Sequence, residues 1–391
     1  TLATALIFEL GRQTHSVKAG LIAAVVYALW LPNIIAVWST MQETLYIPLL
    51  LLAFVLLASA VNRKGGWLSF GVSGVAFGLA ALTRSMPVYF MVPVGLLCVA
   101  IGKDRTLAVA RTAALLGGFA LATVPYSVAL SFHLGEPTFI ENHGGLRVMA
   151  RYGSDSGQKP AGLVNTAQTL TRAFIESPVE MTAEWVDTAR SLFHVNGGRM
   201  LQIYLAAKTY AGAVIWKIAA HLGADLLFIV CMALAPFGLV VARRWRITTL
   251  FGLWILLNIT LTTLSGFGGA RLRAPFEPHM IVLAGVVLAG PYQRRSPVWL
   301  GSSFVLAVIS MLTVLPQVPR SLQARGDYGV NWTRPTRPKT TPIEGRVGFN
   351  LLPAKGMLSF VVRLPEHEAQ PTATDIEVLL NGGLADDTQL R

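Results

Sequence analysis

The sequence predicts an all-α polytopic membrane protein of about ten transmembrane helices, with an external loop holding interfacial helices and a partial β-rich external tail. Three observations predict it. Hydrophobic residues make up 53% of the chain and charged residues 13%, with a mean hydropathy of +0.55, whereas a soluble globule carries about 25% charged residues. Apolar runs of the roughly 20 residues needed to cross a bilayer recur as far as about Pro316. The loops between them alternate in charge.

The runs fall at 1–10, 19–37, 44–61, 67–83, 86–101, 108–132, 222–242, 247–264, 279–292 and 298–316, and the short pair 67–83 and 86–101 also reads as one kinked hairpin. Every second connection is basic: Arg12 and Lys18, Arg63 and Lys64, Lys103 and Arg105, Arg243, Arg244 and Arg246, then Arg294 and Arg295. The positive-inside rule makes these cytoplasmic. The connections 39–43, 83–86, 133–215 and 264–279, and everything after Pro316, are then external. The net charge of +12 is thus a topological signal, and no aromatic-interleaved basic face supports nucleic-acid binding. Cys98 and Cys231 both fall inside spans and read as core residues without a disulfide framework. Without an initiator Met or a complete first helix, the chain reads as an internal fragment.

Four parts follow: N-terminal spans in 1–132, an external loop in 133–215, C-terminal spans in 216–316, and a linker with a partial β-domain in 317–391. Within the loop, Ser177-Pro178-Val179-Glu180 is a capping box with proline at the first helical position. The helix it launches carries Met181, Trp185, Ala189 and Leu192 on one stripe. That stripe suits either the outer membrane interface or packing on the loop itself. In the tail, Leu358 to Leu364 and Asp375 to Gly382 read as strands, the second closed by Asn381-Gly382. Asn331-Trp332-Thr333 is a glycosylation sequon.

Charges outside the basic loops carry the functional signal. Arg271 and Arg273 stand two apart on the external segment Gly269 to His279, and Pro275 and Pro278 restrict the backbone there. Guanidinium forks bind phosphate oxygens bidentately, and a lipid-linked phosphate arrives at that depth. Snorkelling to outer headgroups, or pairing with Glu277, is the plainer reading. Glu277 reads as an orienting partner for an arginine. His279 reads as a hydrogen-bonded interfacial residue rather than a metal ligand. Arg84, at the external apex of the hairpin, reads as a second phosphate contact or an interfacial anchor. Glu43 opens an external helix end, either as a dipole-favoured cap or as a pocket-lining group. His143 and Arg147, with Asn142 and Asp155, are weaker candidates in the long loop. The sequence has no metal-ligand spacing, nucleotide-binding glycine loop or nucleophile elbow, and it leaves a divalent-metal requirement open.

The order of spans, the apex Leu82-Thr83-Arg84, the helix start Ser39 to Tyr46 with Glu43, and Arg271-Leu272-Arg273-Ala274-Pro275-Phe276-Glu277-Pro278 running into an apolar helix together resemble the GT-C superfamily of integral-membrane glycosyltransferases. Closest in look are the dolichyl-phosphate-mannose protein mannosyltransferase-like and aminoarabinose transferase-like branches, over residues 1–316. The resemblance implies transfer of a sugar, with inversion, from a polyprenyl-phosphate donor to a hydroxyl of a protein, lipid or glycan at the extracytoplasmic face of the plasma membrane. It makes Arg84, Arg271 and Arg273 donor-phosphate contacts. It places the catalytic carboxylate in a first external loop that would precede Thr1, so Glu43 does not take that role. The β-rich tail departs from the simplest members of the family. A lipid-linked-oligosaccharide flippase would need charges along the interior of several spans; a non-catalytic polysaccharide-assembly protein would lack the acidic residue of the first loop.

Overall fold

A computed structural model describes residues 2–30, 34, 42–62, 65–102, 104–135, 139–140, 163–193, 211–265 and 270–290, together with four short strands between 345 and 384. The helices are α1 (Leu2–Thr14), α2 (Val17–Ala28), α3 (Glu43–Asn62), α4 (Trp67–Thr83), α5 (Met86–Ile101), α6 (Arg105–Leu134), α7 (Leu163–Glu176), α8 (Pro178–Leu192), α9 (Ala211–Val241), α10 (Trp245–Leu264) and α11 (Glu277–Ala289), with a 3₁₀ turn at Ala270–Arg273 before α11.

Among the described residues, four helices are long and apolar enough to cross a membrane: α3, α6, α10 and the Leu222–Val241 part of α9. The expected count of about ten is not reproduced. Apolar helices α2, α4, α5 and α11 hold 12, 17, 16 and 13 residues, so at 1.5 Å per residue α2 and α11 reach only about 20 Å of a core about 30 Å thick. The predicted run 19–37 is cut at Ala28, and the run 298–316 lies outside the described residues.

Sequence punctuation explains the local boundaries. Asp104 caps α6, its carboxylate accepting from the Leu107 amide at 3.2 Å, and Ser16 caps α2 through the Ala19 amide at 3.2 Å. Arg84 and Ser85 separate α4 from α5, and Pro87 sits in the first turn of α5, where its missing N–H costs nothing.

The hairpin read at 67–101 is therefore two helices. The α4 and α6 backbones meet closely because neither Gly74 nor Gly118 has room for a side chain: a Cβ on Gly74 would strike the Leu115 carbonyl and one on Gly118 the Gly71 carbonyl.

Aromatic packing fixes the centre. Phe54, buried on α3, meets Phe77 of α4 at 5.2 Å, Phe90 of α5 at 5.5 Å, Phe251 and Trp254 of α10 at 5.9 and 5.7 Å, and His279 of α11 at 4.4 Å. One side chain thus ties five helices together, mostly by edge-to-face contacts.

The two ends of the bundle are defined by hydrogen bonds. At one end the Arg244 amide donates to the Thr14 carbonyl at 3.2 Å, the Arg243 amide to His15 Nδ1 at 3.3 Å, and Asn62 to the Gln13 carbonyl at 3.1 Å. This joins the α1–α2, α3–α4 and α9–α10 connections, three of the predicted basic loops. The opposite end carries the start of α3 and the turn between α4 and α5.

The apolar stripe of the long-loop helix α8 is covered in part by protein. Met181, Thr188 and Leu192 are buried, and α8 packs against α10 and the 3₁₀ turn. Its partner α7 turns Ile175 outward and stacks Phe174 on Trp185 at 5.4 Å.

The chain divides at Ser321 and Leu322 into two compact units. In the second, β1 (Gly345–Phe349) pairs antiparallel with β2 (Leu358–Val362) in the register Val347 to Phe360, and β3 (Leu379–Leu380) pairs with β4 (Gly383–Leu384) across Asn381-Gly382. Two strand pairs of this length, the strands described there, are too short to make a β-domain by themselves. The expected β-rich tail is not supported beyond these pairs.

Candidate functional site

The buried charges cluster where α11 begins. Trp254 lies ten residues before Leu264 at the end of α10, about 15 Å along the axis, yet its indole N–H donates to the Pro275 carbonyl at 3.0 Å. His279 meets Phe54, eleven residues or about 16 Å into α3. Two independent contacts therefore put the start of α11 deep within the bundle, so the chain between Leu264 and Pro275 turns back inward after α10 has run outward. Irregular backbone at such depth is stable only when protein or a water-filled recess surrounds it.

That re-entrant segment carries Arg273. Its guanidinium Nε donates to Glu277 Oε1 at 2.5 Å, with the side chains 3% and 2% exposed. Nη1 donates to the Leu192 carbonyl at the end of α8 at 3.3 Å. The guanidinium lies 3.7 Å from the centre of the Phe228 ring on α9, a cation–π contact.

Glu277 is held from the other side. The indole N–H of Trp30, just past α2, donates to its Oε2 at 2.8 Å. The carboxylate is thereby bonded on both oxygens, and four separate parts of the chain converge on one ion pair. A buried pair is tolerable only with such extra hydrogen bonds.

A second pair sits at the end of the bundle. Arg84 Nη1 approaches Glu43 Oε1 at 3.3 Å, with side chains 20% and 4% exposed, and its guanidinium lies 5.9 Å from the Tyr46 ring centre. In the sequence each residue belongs to its own loop. The structure makes them partners, joining the start of α3 to the α4–α5 turn.

The predicted candidates therefore separate. Arg84 with Glu43, and Arg273 with Glu277, form two ion pairs, one at the rim and one within. The side chain of Arg271 lies outside the described residues, as do His143, Arg147, Asn142 and Asp155. His279 is not interfacial: it is fully buried against Phe54, Phe251 and Trp254, because α11 starts at depth rather than at the surface. Neither ring nitrogen makes a hydrogen bond of ordinary geometry among the described residues. No group of three His, Cys, Asp or Glu side chains able to hold a metal occurs among the described residues.

Trp30, Leu192 and Phe228 were not predicted. Trp30 gave one signal, an indole inside the apolar run 19–37; a backbone carbonyl such as that of Leu192 gives none.

Residues 1–132 match the family model described as dolichyl-phosphate-mannose-protein mannosyltransferase. The match contains Trp30, Glu43 and Arg84 and stops before Arg273 and Glu277. A search of curated proteins finds no match. Among solved structures, the archaeal oligosaccharyltransferase AglB from Archaeoglobus fulgidus, in complex with an inhibitory peptide and a dolichol-phosphate, is similar at 14% identity and a TM-score of 0.36. The alignment covers 82% of this chain and 43% of that one, so the chain spans less than half its length. The resemblance to GT-C membrane glycosyltransferases read from the sequence thus has an independent footing: the N-terminal third of this multi-pass membrane chain carries the sequence pattern of the dolichyl-phosphate-mannose-protein mannosyltransferase family.

Proposed function

We propose that the chain is the membrane body of a glycosyltransferase that moves a sugar from a polyprenyl-phosphate donor to a hydroxyl of a protein, lipid or glycan at the extracytoplasmic face. The observation that carries this reading is the inward-turning segment before α11, which holds the Arg273 guanidinium deep within the helix bundle with a carboxylate fixing its Nε. A phosphate whose prenyl chain lies in the bilayer meets cationic donors at that level. The family match over residues 1–132 supports the same class.

Arg84, Arg271 and Arg273 are the donor-phosphate contacts in this reading, Glu43 and Glu277 their orienting partners, and His143 and Arg147 pocket groups of the long loop. Charge on the departing prenyl phosphate grows as the glycosidic bond breaks, and fixed guanidiniums stabilise it without reorganising. Binding at Arg273 requires a phosphate oxygen to replace the Leu192 carbonyl at Nη1, so the end of α8 withdraws as the donor enters. The basic loops are cytoplasmic in a plasma membrane, the ten apolar runs are ten membrane passages of unequal depth, and the strand pairs begin an external β-unit.

The test uses the full-length protein in proteoliposomes with a polyprenyl-phosphate sugar. Arg84→Ala and Arg271→Ala each lower kcat/KM by about 100-fold or more, the loss expected for one transition-state donor, measured on folded, monodisperse protein because Arg84→Ala also removes the cation beside Glu43, which is 4% exposed. Rates equal to the wild type in both would overturn the phosphate assignment. The buried pair also meets the flippase's requirement for interior charge, and that reading predicts lipid-linked sugar crossing the bilayer without a transferred product.

A further inference from the structure

We propose a second binding site, at the opposite end of the bundle, for the phosphate of an anionic phospholipid. A cavity of about 70 Å³ opens there between α3, α4, α5, α6 and α10, with both Arg111 and Arg246 in its wall. Its remaining lining includes Phe70, Leu97, Cys98 and Leu250, and among the described residues no carboxylate lines it. Two cations facing an otherwise apolar recess select an anion.

The cations are placed rather than loose. Arg111 lies 5.6 Å from the Phe70 ring centre and Arg246 lies 5.8 Å from that of Trp245, and stacking on an aromatic face reduces the freedom a guanidinium loses on binding. Gly102 approaches the Ala108 side chain so closely that a Cβ there would collide, which packs the start of α6 against the end of α5 beside the cavity. Room of this size holds about two water molecules, enough for the oxygens of a phosphate but not for a sugar.

Depth and surroundings favour a lipid. Arg111 is six residues past Arg105, about 9 Å along α6 from its first residue, so its guanidinium faces the headgroup layer rather than bulk water. Leu96, Leu107 and Trp67 on the flanking helices are 68%, 41% and 64% exposed and offer acyl chains an apolar path; Trp67 is an indole of the kind enriched at membrane interfaces. Arg105, Arg243 and Arg244 are exposed at the same end and supply a long-range attraction to anionic lipid. Asp104, also at this end, accepts from the amide of Leu107. The positive-inside reading assigns the site to the cytoplasmic leaflet.

The experiment is native mass spectrometry of the full chain released from detergent, with titration by phosphatidylglycerol, phosphatidylcholine and inorganic phosphate. The wild type keeps phosphatidylglycerol at collision energies that strip phosphatidylcholine. The double variant Arg111→Gln, Arg246→Gln binds phosphatidylglycerol at least ten-fold more weakly, while Arg105→Gln matches the wild type. Leu97→Phe, which fills the cavity and leaves both arginines, gives the same loss, so the test survives should the double variant fail to fold. Equal retention in wild type, double variant and Leu97→Phe overturns the site. Millimolar inorganic phosphate displacing bound phosphatidylglycerol as effectively as added phosphatidylglycerol overturns the lipid assignment. Sugar transfer enters none of these readouts, so the outcome is independent of the proposed function.

Discussion

Replacing Glu277 with alanine is expected to destabilise the protein by about 3–5 kcal/mol, the loss typical when one member of a buried ion pair is removed. The expectation follows from what remains behind. Arg273 is 3% exposed and loses the carboxylate that accepts from its Nε, while the Leu192 carbonyl and the Phe228 face remain. The Trp30 indole, bonded to the same carboxylate at 2.8 Å, loses its acceptor as well. Glu277→Gln should cost less, since an amide oxygen can still accept from Trp30. The double variant Arg273→Met, Glu277→Met should be more stable than Glu277→Ala, because well-packed apolar side chains can replace a buried pair without leaving a charge. Cys231 is 2% exposed on α9 beside this site, so its rate of thiol labelling during thermal or denaturant unfolding in detergent reports the change. Wild-type labelling kinetics in Glu277→Ala would show that the pair does not hold α11 in place.

The sequence supplies the residues of this pair but not their burial. Arg273 and Glu277 stand four apart, and that spacing alone makes them neighbours on a helical surface. Their depth is another matter. Hydropathy gives the length of an apolar run but not the level at which it begins, so 279–292 reads as an ordinary span and His279 as an interfacial residue. Only the contacts of Pro275 with Trp254 and of His279 with Phe54 reveal the inward turn. Trp30 and Glu277 are 247 residues apart, and Glu43 and Arg84 are 41 apart; neither separation has a local signature.

Where punctuation was strong, the sequence served well. Gly66 before Trp67, then Arg84, Ser85 and Pro87, bound α4 and α5 at the predicted residues. Where it was weak, as beyond Ala28, the run of apolar residues overstated the helix. The α8 stripe was legible as amphipathic, but periodicity does not say whether lipid or protein covers it. Burial of Met181 and Leu192 shows that protein covers part of it.

The second large effect concerns the seam between α4 and α6. A Cβ built on Gly74 would overlap the Leu115 carbonyl, and one on Gly118 would overlap the Gly71 carbonyl. In both cases the obstacle is backbone, which cannot rotate aside as a side chain can. Gly118→Ala or Gly74→Val must therefore push two helices apart, and Phe77 on α4 would be drawn away from Phe54 at the hub of the core. The cost should reach or exceed the top of the about 1–3 kcal/mol typical of overpacking, seen as loss of folded, monodisperse protein on extraction. Gly117 supplies the control. It adjoins Gly118 on the same helix, yet nothing lies within 4 Å of its Cβ position. Gly117→Ala should then be neutral or stabilise by up to about 1 kcal/mol through helix propensity alone. The contrast separates close approach of helices from a general preference for glycine in α6: equal behaviour of Gly117→Ala and Gly118→Ala would mean that the two backbones do not meet there, and with them would go the seam that sets the position of α4 against the core.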